Sequence, residues 1–225
     1  MTHDLAPRLR ALYSGEHEEV WARIGQESPA TYWEENAILG RHDMFRALLA
    51  RLQPIGGRRI LDAGCGRGVL ARRLAREGAR VTAVDLLTHH VLEARGLKNG
   101  SGPTWAVADF RDLLGSVGAF DDIVLQEVLE EYTPEETVDV LRRLGASGAQ
   151  KIHLVVKQAG PWRGVLTPLL PEALLGTVDP ISLLRSAHLH TPYRLSHQES
   201  VRRRSYNARM VELTLQPEFV SSNLY

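Results

Sequence analysis

The feature that most constrains this chain is a glycine-rich run set between an apolar strand and a helix. Leu61-Asp62-Ala63-Gly64-Cys65-Gly66-Arg67-Gly68 closes the stretch RRILDAG (58–64) and opens GVLARRLAREG (68–78). Glycines here let the backbone turn sharply and come close to a ligand, because a Cβ would block either. The following helix points unpaired N–H groups at the same spot. Asp85 ends the next apolar run, RVTAVD (80–85), 21 residues after Gly64. A carboxylate at that place accepts both ribose hydroxyls of an adenine nucleoside. An Asp at a strand–helix junction also serves as a helix cap, and the sequence admits both roles.

The spacing bears on which nucleoside is expected. A dinucleotide fingerprint is G-x-G-x-x-G, and its third glycine would fall at Val69. The run is instead G-x-G-x-G, with Asp62 two residues ahead of it. A negative group there opposes a pyrophosphate but suits the sulfonium and ammonium of S-adenosylmethionine (SAM). SAM is the expected cofactor, and a nicotinamide oxidoreductase is disfavoured. Cys65, a small residue in a glycine turn with no histidine near it in sequence, reads as inert rather than nucleophilic.

The remaining chain supplies a frame for this site. Residues 4–52 show helical spacing, ending at Pro54 and Gly56-Gly57. Short apolar runs then alternate with helices: strands at 58–64, 80–85, 104–109, 121–126 and 151–157, and helices at 68–78 and 89–97. Thr133-Pro134-Glu135-Glu136 reads as N-cap, N1 proline and capping-box Glu, opening a helix that stops at Gly145. Such alternation calls for an α/β fold with a parallel sheet covered on both faces. Four prolines among leucines suggest a broken helical insert over 160–188, and 193–196 with 206–215 a closing strand pair. One domain over 1–225 is expected: N-terminal helices (1–54), a cofactor-binding core (55–157), a substrate lid (158–190) and a C-terminal strand pair (191–225). An insert after the fifth strand emerges beside the carboxyl ends of the strands, where open α/β sheets bind ligands.

The D-x-G-x-G-x-G run resembles motif I of class I SAM-dependent methyltransferases, and the likeness extends over roughly residues 55–157. It implies a Rossmann-like, mostly parallel seven-stranded sheet whose last strand runs antiparallel. It also implies that Asp109 receives the adenine amino group while Phe110 covers the ring. Gln126-Glu127 then sits where the fourth strand opens onto the methyl group. The implied cofactor set is Asp62, Gly64, Cys65, Gly66, Gly68, Asp85, Leu86, Asp109, Phe110 and Gln126. For Asp109, an N-cap role in the next turn is the competing explanation.

Several readings narrow the acceptor. Lys+Arg and Asp+Glu balance at 27 each, so no global basic field favours a nucleic acid partner. After the fourth strand, QEVLEEYTP lacks the N/D-P-P-Y pattern of methyltransferases acting on amino groups of nucleic acids and proteins, which points to a small-molecule O- or C-acceptor. Trp21-Ala22-Arg23-Ile24, Gly40 to Met44 with Arg46, LDAGCGRG and Val201 to Leu213 resemble magnesium-protoporphyrin IX methyltransferases, which esterify a tetrapyrrole propionate. That family has D-x-L-I-H-Y after the fourth strand, whereas this chain has Glu127 to Tyr132, with Glu131 at the histidine position. Glu127 and Glu131 are candidate bases or cation binders, equally explained as a solvated helix face. Tyr13 and Tyr32 could close over the methyl group, with core packing as the alternative. Arg202-Arg203-Arg204 is read as protection of an edge strand at 206–215 rather than an anion site. His188 and His190 make a poor metal site, and no metal is expected. The alternative function is SAM binding without methyl transfer. A single cysteine, no apolar leader and no run near ~18 apolar residues make the cytoplasm the expected location, without a membrane span.

Overall fold

The computed structural model describes residues 41–96, 102–115, 118–129, 132, 134–158, 193–202 and 207–215. Tyr13, Tyr32, Glu131, His188, His190, Arg203, Arg204 and the expected lid lie outside these residues. Seven strands form one sheet: β1 (Arg59–Ala63), β2 (Arg80–Asp85), β3 (Thr104–Val107), β4 (Asp122–Gln126), β5 (Lys151–Gln158), β6 (Tyr193–Arg202) and β7 (Asn207–Leu215). Their order is β3-β2-β1-β4-β5-β7-β6. β1 to β5 are parallel, while β7 runs antiparallel to both β5 and β6. This is the Rossmann-like arrangement expected from the sequence.

β1 lies inside the sheet, between β2 and β4, because its residues tolerate burial on both faces: Ile60, Leu61 and Ala63 are wholly buried. One face packs against α1 (Arg41–Leu52), through Met44, Leu48 and Leu52, and against α2 (Val69–Arg76), through Val69, Leu70 and Leu74. On the other face Val140, Leu141 and Leu144 of α5 (Pro134–Ala146) meet Leu61, Ile123, Leu125 and Leu154. α3 (Thr88–Gly96) follows β2, and the single turn α4 (Phe110–Leu113) follows β3. No described helix is long and apolar enough to cross a membrane.

Gly78 ends α2 in the left-handed conformation at φ +92. The Gly78 N–H donates to Ala75 O and that of Ala79 to Leu74 O, a Schellman closure. Several features differ from expectation. β3 stops at Val107, because Asp109 turns the chain into α4. α5 runs through Gly145 to Ala146, and the left-handed glycine is Gly148 at φ +69. The edge strand is β6, not 206–215, which pairs on both sides as β7. β6 continues to Arg202 past a shift at Leu195/His197, its polar residues tolerated because an edge strand pairs on one side only.

At the amino ends of β4 and β5, away from the glycine turn, a largely buried polar network joins four strands, β4, β5, β6 and β7. Asp122 pairs with Arg58 and lies 3.3 Å from His153 Nε2, while Glu212 meets Lys151 and Ser196. The Tyr193 hydroxyl donates to Ala149 O at 2.6 Å, tying the start of β6 to the approach to β5.

Candidate functional site

The strand order reverses at β1, with β2 on one side and β4 on the other. Their carboxyl ends therefore flank a crevice, the usual ligand position in an open α/β sheet. After β1 the N–H groups of Gly64 and Cys65 both donate to Val84 O at 2.9 Å, bending the chain toward β2. The N–H of Gly68 donates to Cys65 O at 2.9 Å, closing the turn into α2.

The three glycines answer different demands. Gly64 has φ +74, and a Cβ there would stand 2.5 Å from Cγ2 of Val128, so the segment after β4 seats directly on the turn. At Gly68 a Cβ would run into the Trp105 ring at 2.1 Å, which fits α2 closely against β3. At Gly66, φ +51, no described atom lies within 4 Å of the Cβ position. Of the three, only Gly66 has no described atom near its Cβ position.

Asp85 joins the turn to the next strand. Its Oδ2 accepts from Gly66 N and its Oδ1 from Leu87 N, each at 2.8 Å. The same carboxylate therefore caps the entry to α3 and steadies the glycine turn, with lone-pair directions to spare. His90 Nδ1 lies 3.5 Å from Oδ1. Leu86 packs partly buried against the core.

Asp62 is the electrostatic centre of the crevice. It is 2% exposed, and its Oδ2 has no hydrogen-bond partner among the described residues. Burial, and next the Asp85 charge, push its carboxyl up to about 7, with the Ala71 amide acting in the opposite sense. The residues present fit a cationic cofactor: a buried carboxylate oxygen lacking a donor, beside a glycine with open space. Burial and the same two carboxylates hold the Cys65 thiol protonated, as expected for an inert cysteine.

After β3, Asp109 caps α4 by accepting from Arg111 N at 2.9 Å, and its carboxylate also holds the Arg111 guanidinium. Phe110 is buried and meets Tyr132 edge-on at 6.3 Å, while the Arg111 Cζ lies 5.7 Å from the centre of that ring. Burial, then Asp109, raises the Tyr132 hydroxyl above its usual range.

Gln126, half-buried, closes β4, and Glu127 follows at φ +57, the one non-glycine residue with positive φ among the described residues. Its N–H donates to Val155 O at 2.7 Å, fixing this backbone against β5. A left-handed Glu at a strand end marks a site over-determined by its surroundings. Asp62, Gly64, Gly66, Asp85, Asp109 and Gln126-Glu127 thus gather along the carboxyl ends of β1 to β4. Among the described residues no group of three or more His, Cys, Asp or Glu is placed to hold a metal ion.

Sequence reasoning missed Val128, Arg111 and Tyr132. Arg111 had a readable signal, since it follows Asp109 by two residues and can reach back to it. Val128 and Tyr132 had none, because their partners are distant in sequence.

Comparison with known proteins agrees with this geometry. Residues 60–147 match the family described as methyltransferase domain. A ubiquinone biosynthesis O-methyltransferase of Xylella fastidiosa (strain 9a5c) is 38% identical over 106 residues, covering 45% of this chain and 43% of that protein. The chain thus spans less than half the length of the curated relatives it matches. The magnesium protoporphyrin IX methyltransferase (ChlM) from Synechocystis PCC 6803 superimposes with a TM-score of 0.76 in its SAH-bound crystal structure, at 22% identity, covering 93% of this chain and 99% of that one. Its SAM-bound structure gives 0.73 at 21% identity, over 95% and 98%. The chain has the fold of the class I SAM-dependent methyltransferases.

Proposed function

We propose, on the premise that residues 60–147 form a class I methyltransferase domain, that this chain transfers a methyl group from SAM to a small molecule. The observation that carries the reading is Asp62, a buried carboxylate with an unpartnered oxygen beside the Gly66–Asp85 bond. SAM, when bound, supplies a methyl group on a positively charged sulfur. In this reading the Gly66 turn admits the cofactor backbone, Asp85 accepts from the ribose hydroxyls, and Asp62 offers negative charge to the cationic part. Phe110 borders the adenine side.

The acceptor is proposed to enter at the carboxyl end of β4. Methyl transfer is an in-line displacement, so the residues there chiefly align the acceptor and exclude water. Glu127 is the candidate base for a hydroxyl acceptor. An O-acceptor is supported by the O-methyltransferase relatives, and a tetrapyrrole carboxylate by the nearly full-length overlay on ChlM. The test is release of S-adenosylhomocysteine (SAH) from SAM in the presence of candidate acceptors, starting with tetrapyrrole carboxylates and catechol-type phenols. Turnover with one class identifies the acceptor. SAM binding without turnover on any acceptor would favour a SAM-binding protein instead.

A further inference from the structure

Both oxygens of the Asp109 carboxylate are engaged within its own turn. Oδ1 accepts from Arg111 N at 2.9 Å and Arg111 Nε at 3.0 Å, while Oδ2 accepts from Nε at 2.9 Å and Nη2 at 2.5 Å. A carboxylate presents about four lone-pair directions, and three N–H groups of this one residue, the Nε–H shared between both oxygens, take up most of them. The amino group of an adenine would have to compete with the guanidinium for this carboxylate. The two side chains are 19% and 21% exposed, so the pair stands at the surface of the crevice, within reach of a ligand. The same guanidinium, while held by Asp109, also lies over the Tyr132 ring, its Cζ 5.7 Å from the centre.

We propose that Arg111 is a specificity-determining gate on the adenine subsite, competing with the cofactor's amino group for Asp109. The inference rests on the cofactor reading above. Adenine gains Asp109 only when the guanidinium fork lets go, and the released guanidinium stays on the Tyr132 ring. Because that ring belongs to the segment after β4, adenine binding also reaches the wall expected to face the acceptor. A partly exposed ion pair of this kind weakens the competing ligand by up to about fivefold.

The test is calorimetric titration of the full chain with SAH and with its 6-oxo analogue, S-inosylhomocysteine, which lacks the amino donor. Arg111→Met keeps the stem and the backbone N–H that caps α4 but removes the fork; Arg111→Lys keeps a charge without the fork. Both variants are expected to bind SAH about three- to fivefold more tightly than the unsubstituted chain. Their preference for SAH over the 6-oxo analogue should widen by at least that factor. Should either variant melt too early for titration, the other decides. Unchanged or weaker SAH binding, with an unchanged ratio, overturns the gate. Failure of the unsubstituted chain and of both variants to bind SAH overturns the cofactor reading and the gate with it.

Discussion

The backbone N–H of Gly66 donates to Oδ2 of Asp85 at 2.8 Å, tying the turn after β1 to the end of β2. The bond explains why a glycine and an acid 19 residues apart act as one unit. The carboxylate holds the turn, and in the proposed reading the same group accepts from a ribose. Asp85→Ala should weaken SAM binding by ~1.5–3 kcal/mol, on the order of ten- to hundredfold, the scale of a lost charge-assisted hydrogen bond. Calorimetry on the folded variant checks it, and an unchanged affinity would place the ribose elsewhere.

Gly64 and Val128 share one space. Gly64→Ala adds a methyl 2.5 Å from Cγ2 of Val128 in a backbone at φ +74. The expected cost is about 2 kcal/mol or more, part overpacking and part backbone strain. Val128→Ala in the same chain should recover the overpacking part alone. A double-mutant cycle on thermal melting reads this as coupling of about 1 kcal/mol, and strict additivity would argue against direct contact.

Asp62 links stability to pH. Its carboxyl is held near 7 in the folded chain, above the value of about 3.9 for an unfolded one. The folded state therefore keeps the proton that the unfolded chain releases, and stability falls as pH rises from about 4 through 7. The integrated effect is on the order of 3–4 kcal/mol, and Asp62→Asn should abolish this component of the slope. The same ionisation makes the site more negative, so affinity for SAM relative to SAH should increase as pH passes 7. A SAM-to-SAH ratio flat from pH 6 to 8 would contradict the placing of Asp62 opposite the sulfonium.

Glu127 holds a backbone conformation that glycine adopts without cost. Glu127→Gly should gain about 1 kcal/mol at this position, offset by the extra freedom glycine has when unfolded. Near-neutral melting combined with loss of methyl transfer is the expected pattern. Full turnover in the variant would remove Glu127 from the reaction.

The sequence was most legible where a residue's role depends on its neighbours in the chain. The apolar runs behind β1, β2, β4 and β5 are long enough to mark buried parallel strands, and Gly78 marks the end of α2 by its place after a helical run. The glycine turn and Asp85 were readable because both stand at strand ends. Asp109 was ambiguous for a physical reason: an acid after a strand can cap a turn or bind a ligand, and here it caps α4. The polar edge strand β6 showed only its first four residues, since pairing on one side imposes no apolar pattern. Contacts between distant segments, such as Val128 on Gly64, left no local trace.

The most direct test of the central claim is calorimetric titration of the unsubstituted chain with SAM, SAH and NAD. Micromolar binding of the two sulfur ligands and none of NAD is the expected result. NAD binding without either sulfur ligand would contradict the assignment of the crevice between β1 and β4 to SAM.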